Sequence, residues 1–204
     1  MEREFELAYW GSVLTGAVRR KVSIEPYIPE RRQPPARSLE ALSAWQGIEN
    51  ILSDLLDRFR IPLDRCLEFG VEHGFSTVAL SSYFGSVVGV DTFLGDIHTV
   101  SKENIYEETS TRLAPYNNIK LVRSDYRDFI RTNTGSYDLI HVDIVHTFAD
   151  TFRCGLWSAR HSRCTIFHDT ESFPAVKQAI TDISRRTGKR FYNFEESNGL
   201  GILV

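Results

Sequence analysis

Residues 64–80 read Asp64-Arg-Cys-Leu-Glu68-Phe-Gly70-Val-Glu-His-Gly74-Phe-Ser76-Thr77-Val-Ala-Leu80, and residues 87–92 read Val87-Val-Gly-Val-Asp91-Thr92. A short apolar run ends on Glu68, a glycine turn at Gly70 and Gly74 leads into a helical pattern, and a second apolar run ends on Asp91. Glycine serves where backbone must approach a ligand or take positive φ. An acid closing the second strand sits where a ribose diol would bind. The unit therefore predicts an open α/β sheet with a nucleotide-type cofactor cradled at its first turn.

Outward from this unit, short apolar runs alternate with amphipathic ones, the pattern of parallel strands joined by crossover helices. Strands are expected at 65–69, 86–90, 119–123, 137–142 and 164–168, with helices near 76–83, 104–113, 126–132, 148–159 and 175–187. The tail, 190–194 and 199–204, reads as two final strands. Before the unit, a helix is expected over Phe5–Val18, followed by a Pro- and Arg-rich stretch, Ile24 to Arg37, which cannot continue a helix or a central strand. Ser38 is placed to cap a helix running through Trp45, Ile48, Leu52 and Leu55 to Phe59. Residues 1–60 thus read as a helical and Pro/Arg-rich extension, able to wrap the surface or reach a partner such as a second copy, and 61–204 as the main domain.

The chain has 204 residues, 42% of them apolar, enough for one sizeable core. A net charge of -3 lacks the basic footprint of a nucleic-acid-binding domain, so a small polar substrate is expected. No apolar run is long enough to span a bilayer, and no membrane role is expected. The start, Met1-Glu-Arg-Glu, does not read as a secretory signal. Cys66, Cys154 and Cys164 are odd in number and lack metal-type spacing, which suits a reduced, cytoplasmic chain.

A dinucleotide fingerprint needs three glycines, G-x-G-x-x-G. Only Gly70 and Gly74 stand here, preceded by Glu68, and the turn resembles that of the class I S-adenosylmethionine-dependent methyltransferases, E-x-G-x-x-x-G. That resemblance implies a doubly wound Rossmann-like sheet, mostly parallel with an antiparallel last strand and helices on both faces. It implies S-adenosylmethionine as cofactor, held by Glu68, Gly70, Gly74, Asp91 and Asp125. Ser76 and Thr77 would meet the methionine carboxylate, with Tyr126 or Phe93 against adenine. Asp91 and Asp125 have a second reading as caps of the following segments, and the hydroxyls of Ser76 and Thr77 as simple helix caps. The connection from Thr92 to Tyr106, with Gly95 and His98, is a possible lid or an ordinary surface loop.

Tyr137-Asp-Leu-Ile-His-Val-Asp143-Ile-Val-His146, with Asp150, Trp157 and Phe167-His168-Asp169-Thr170, resembles a bacterial branch that methylates small-molecule hydroxyls, including sugars and natural-product scaffolds. Some relatives bind a divalent cation such as Mg²⁺ through acids at the positions of Asp143 and Asp169. A metal-free route would use His146 or His168 as general base beside Asp143. The chain departs from the branch at Ala159-Arg-His-Ser-Arg163, where a glycine pair is expected, at Ile144 in place of glycine, and at Thr170 in place of a third ligand. Two other readings stay open, a methyltransferase-like binding module without turnover and an NAD(P)-dependent oxidoreductase.

Overall fold

The computed structural model describes residues 21–41, 43–95 and 103–204. The expected helix over Phe5–Val18, Leu42, and much of the 92–106 connection with His98 lie outside the described residues. Strand β1 (Ile24–Pro26) precedes a 3₁₀ turn (Ile48–Ile51) and helix α1 (Leu52–Arg58). Then follow β2 (Arg65–Phe69), α2 (Phe75–Ser81), β3 (Ser86–Asp91), α3 (Tyr106–Leu113) and β4 (Ile119–Arg123). The second half comprises α4 (Tyr126–Thr132), β5 (Tyr137–Val142), α5 (Phe148–His161), β6 (Ser162–His168), α6 (Pro174–Thr187), β7 (Phe191–Phe194) and β8 (Leu200–Leu203).

These strands form one sheet in the order β1-β7-β8-β6-β5-β2-β3-β4. Strand β8 is antiparallel to both β6 and β7, while the other pairings are parallel. Central strands covered on both faces read as apolar runs, and β2 buries Cys66, Leu67, Glu68 and Phe69. One face packs Leu80, Leu139, Ile166 and Ile202 against Trp45, Ile48, Leu52 and Leu55. The other packs Phe69, Ile140 and Phe167 against Phe152, Ile180 and Ile183. Helix ends follow their local chemistry. Thr147 caps α5 by accepting from Asp150 N at 3.1 Å, Pro174 opens α6, and left-handed Gly188 closes it.

The long helix expected from Ser38 does not form. Gly47 has φ +100, and a Cβ there would lie 2.5 Å from Ser197 Oγ, so the chain turns and becomes helical only from Ile48. Apolar spacing reported the burial of Trp45 and Ile48 correctly but not helical continuity. Strand β1 joins the sheet edge, where Pro26 needs no ladder donor, and residues 45–61 supply much of one core face. The Pro/Arg-rich segment wraps the domain. Tyr27 donates to Asp54 Oδ2 at 2.5 Å, Arg31 and Arg32 pair with Asp57 and Glu196, and Arg37 donates to Asn118 Oδ1 at 2.6 Å. Among the described residues, no helix is long and apolar enough to cross a membrane.

Candidate cofactor and acceptor site

Strands β6, β5, β2, β3 and β4 are consecutive parallel neighbours, so their carboxyl ends share one edge of the sheet. In open α/β sheets ligands bind outside that edge. At its centre Gly70 has φ +87, and a Cβ there would sit 1.6 Å from the carbonyl oxygen of Asp143. Glycine is obligatory where the first and second halves of the edge touch. Gly74, at φ +86, opens α2 beneath Leu113.

Asp91 ties the turn shut. Its Oδ2 accepts from Val71 N at 2.8 Å and Glu72 N at 2.9 Å, and Oδ1 from Phe93 N at 2.7 Å. A carboxylate offers about four acceptor sites, so capping leaves only part of this half-buried group for a ribose. The capping contacts are thus present, and they leave acceptor capacity for a ligand. His73 Nδ1, inside the same turn, is buried with no hydrogen-bond partner, the kind of orphan that a ligand satisfies. Together with the obligatory glycines it makes the turn a fitting cradle for a nucleoside.

Other expected contacts lie deeper. Glu68 is fully buried beneath the turn, accepting from Ser76 Oγ at 2.5 Å and from Thr77 Oγ1, with His141 Nδ1 at 2.8 Å. The hydroxyls of Ser76 and Thr77 thus face the protein rather than a cofactor carboxylate. Phe93 is 1% exposed, packed with Val71, Val78 and Leu113 and edge-on to Tyr106. Tyr126 is buried against the α5 side, its hydroxyl donating to Asp150 Oδ1 at 2.5 Å. Burial pushes the Tyr126 hydroxyl far above its ordinary range, and the Asp150 carboxylate adds to the effect. Asp125 caps α4 by accepting from Arg127 N at 2.7 Å, yet remains half-exposed on the edge.

The second half of the edge is a compact acid–imidazole cluster. Asp143 ends β5, and His168 and Asp169 end β6. His168 Nδ1 lies 3.1 Å from Asp143 Oδ2, and His146 Nε2 lies 2.8 Å from Asp169 Oδ2 and 3.5 Å from Asp143 Oδ1. The His146 ring stacks on Phe173, centroids 4.2 Å apart. Asp169 has φ +65, a conformation tolerated by Asp at a cost and found at sites the surrounding fold over-determines. Burial pushes the His146 imidazole down, but Asp143 and Asp169 overcome it and raise it to about 9. His168 is raised by the same balance, and Asp143 is held far below the carboxylate range by the two imidazoles despite burial.

His168 also meets Ser197 O through Nε2 at 3.2 Å. Both its nitrogens face acceptors, a carboxylate and a carbonyl, so both carry protons and neither is free to take one. His146 is the remaining imidazole of this cluster. One donor atom from each of Asp143, His146 and Asp169 lies within 4.8 Å of the others. This set fits a divalent cation, but its imidazole suits Mn²⁺ or Zn²⁺ better than Mg²⁺, which prefers oxygen and water.

Sequence reasoning placed no role on His141 or Ser197. His141 lies in a run apolar on both faces, where any side chain is buried, which is a signal; Ser197 acts through its backbone carbonyl, which no sequence pattern marks.

A family model described as a methyltransferase domain matches residues 67–170, half of the chain. A search of curated proteins finds no match. Among solved structures, the O-methyltransferase TomG from Streptomyces achromogenes, involved in Tomaymycin synthesis and in complex with SAM, is similar at 20% identity. The likeness covers 80% of this chain and 81% of that one, with a TM-score of 0.55. The O-methyltransferase from Bacillus cereus in complex with SAH matches at 14% identity over 80% and 82% of the two chains, TM-score 0.54. The N-methyltransferase NodS from Bradyrhizobium japonicum WM9 matches at 14% identity over 73% and 90%, TM-score 0.50. At these identities the likeness is one of fold.

Proposed function

The chain belongs to the methyltransferase-domain family, and we propose that it is a class I S-adenosylmethionine-dependent enzyme that methylates a hydroxyl of a small molecule such as a sugar or a secondary metabolite. One observation carries this reading, the alignment of chemistry-bearing strand ends along a single sheet edge with Gly70 at its centre. Neighbours named for O- and N-methylation share the fold, so the acceptor atom is argued from the site. TomG and the Bacillus cereus enzyme, in complex with SAM and SAH, support the choice of cofactor.

In this reading Gly70 and Gly74 let the nucleoside approach the backbone, Asp91 meets the ribose, and Asp125 with Tyr126 borders the adenine end. Glu68 and Ser76 act from below, shaping the turn. Methyl transfer requires the acceptor oxygen in line with the sulfonium carbon, so positioning supplies much of the rate. Asp143 and Asp169 orient the acceptor hydroxyl, its proton passes to the neutral form of the His146 ring, and Asp169 and Asp143 stabilise the resulting imidazolium. His168, held between Asp143 and Ser197 O, fixes the Asp143 carboxylate.

The compactness of Asp143, His146 and Asp169 favours a second version of the same chemistry. A divalent cation held by these three would lower the pKa of the acceptor hydroxyl. Calorimetry with S-adenosylhomocysteine, followed by methyl-transfer assays on sugar, phenol and amine panels with and without Mn²⁺, tests the reading. Nucleoside binding with transfer to hydroxyls is expected. Binding without transfer to any acceptor would turn the reading to a binding module, and binding of NAD(P) instead would overturn it.

A further inference from the structure

Trp45, His141 and Glu68 form a buried chain that runs from the segment before the 3₁₀ turn, through the middle of the sheet, to the foot of the glycine turn. Trp45 is 2% exposed, and His141 and Glu68 are fully buried. The indole N–H of Trp45 is 3.2 Å from His141 Nε2. Indole nitrogen donates and never accepts, so Nε2 must be unprotonated. The ring proton therefore resides on Nδ1, 2.8 Å from Glu68 Oε1, which accepts it. Ser76 donates to the same oxygen at 2.5 Å, and Thr77 donates to Oε2.

Three neutral donors thus surround an acceptor-only carboxylate. No Lys or Arg ion pair reaches Glu68 among the described residues. A buried charge without a counterion persists only where hydrogen bonds satisfy it. Removing one donor leaves a buried acceptor unsatisfied, at the cost of its desolvation. Glu68 lies two residues before Gly70, and its other donors lie two and three residues after Gly74, so its charge sits directly under the turn.

We propose that His141 and Trp45 are positioning residues for the cofactor. By fixing the His141 tautomer, Trp45 keeps a donor on Glu68; Glu68 then holds the foot of the turn through Ser76 and Thr77 and presents negative charge beneath a cationic ligand. This rests on the cofactor reading above and adds a specificity to it. The chain favours the sulfonium, S-adenosylmethionine, over its neutral thioether product.

The test pairs calorimetry for both nucleosides with nitrogen NMR of the histidine rings, on the full chain and three variants. In the wild type, the His141 ring is expected as the neutral Nδ1–H tautomer. His141→Phe should weaken S-adenosylmethionine about tenfold, as loss of one charge-assisted hydrogen bond does, and S-adenosylhomocysteine clearly less. His141→Gln, whose amide offers one donor and one acceptor in place of the two ring nitrogens, should restore both affinities to within about threefold. Trp45→Phe removes the N–H while leaving a smaller aromatic ring in the core position. It should yield a mixture of tautomers and a smaller loss of the same kind, and it decides the matter if His141→Phe does not fold. Equal weakening of both nucleosides, unchanged affinity in folded variants, or an Nε2–H ring in the wild type would overturn the inference. Failure of the wild type to bind either nucleoside would overturn the cofactor reading itself, and this one with it.

Discussion

Asp91 closes the glycine turn with its carboxylate, and in the proposed function it also meets the ribose. Asp91→Ala should weaken S-adenosylhomocysteine by about 1 to 3 kcal/mol, the scale of a lost charge-assisted hydrogen bond, measured by calorimetry. Unchanged affinity would assign the residue to the turn alone. His146 carries a pH dependence of definite sign. Its imidazole is raised from an unfolded value of about 6.5 to about 9 by Asp143 and Asp169 against the opposing effect of burial. The stability it contributes is therefore complete below about pH 6.5 and is lost as pH rises through about 9. Thermal melts with chelator present, at pH 6 and pH 10, should show a larger alkaline loss in the wild type than in His146→Gln. Equal losses would mean that the ring is not held charged by its neighbours. At this scale the sequence was a partial guide. Asp143, His146, His168 and Asp169 were legible as candidates because each ends or follows an apolar run. The commitment of both His168 nitrogens was not, since one partner, Ser197 O, is backbone from a hairpin 29 residues away.

The element that defines the site is the β2–α2 turn. Gly70→Ala forces a Cβ against the Asp143 carbonyl at positive φ, and should cost about 4 kcal/mol or more, among the larger single-residue effects. Gly188→Ala is the control. It has φ +76 but nothing within 4 Å of the added carbon, so only the left-handed strain of about 1 kcal/mol should appear. Chemical denaturation of both variants checks the contrast, and similar losses would deny the close approach at Gly70. Strands β2 and β5 occur where apolar runs bounded by turn residues place them, because central parallel strands must be apolar on both faces. Left-handed residues cluster just beyond strand ends, at Gly70, Glu72, Phe93 and Asp169. Of these only Gly70 announces itself in sequence. The same blindness explains the false helix from Ser38. Its apolar spacing reflects burial, while the turn at Gly47 answers to Ser197, a tertiary neighbour.

Across the whole molecule, the wrapped segment from Ile24 to Arg37 and the following core residues belong to the same body as the sheet. Tyr27, Arg31, Arg32 and Arg37 fasten it to α1, the β7–β8 hairpin and the start of β4. Adding Mn²⁺ should raise the melting temperature of the wild type and leave Asp169→Asn unmoved, since ligands stabilise only the state that binds them. Equal shifts in the two proteins would place the ion elsewhere. The central claim is that one sheet edge receives an adenosyl cofactor at its first turn and an acceptor beside it. A crystal structure of the complex with S-adenosylhomocysteine tests it most directly. The account predicts the ribose at Asp91, the amino-acid moiety against Gly70 and Gly74, and the sulfur facing the Asp143–His146 cluster. Nucleoside density away from this edge, or none at saturating concentration, would contradict it.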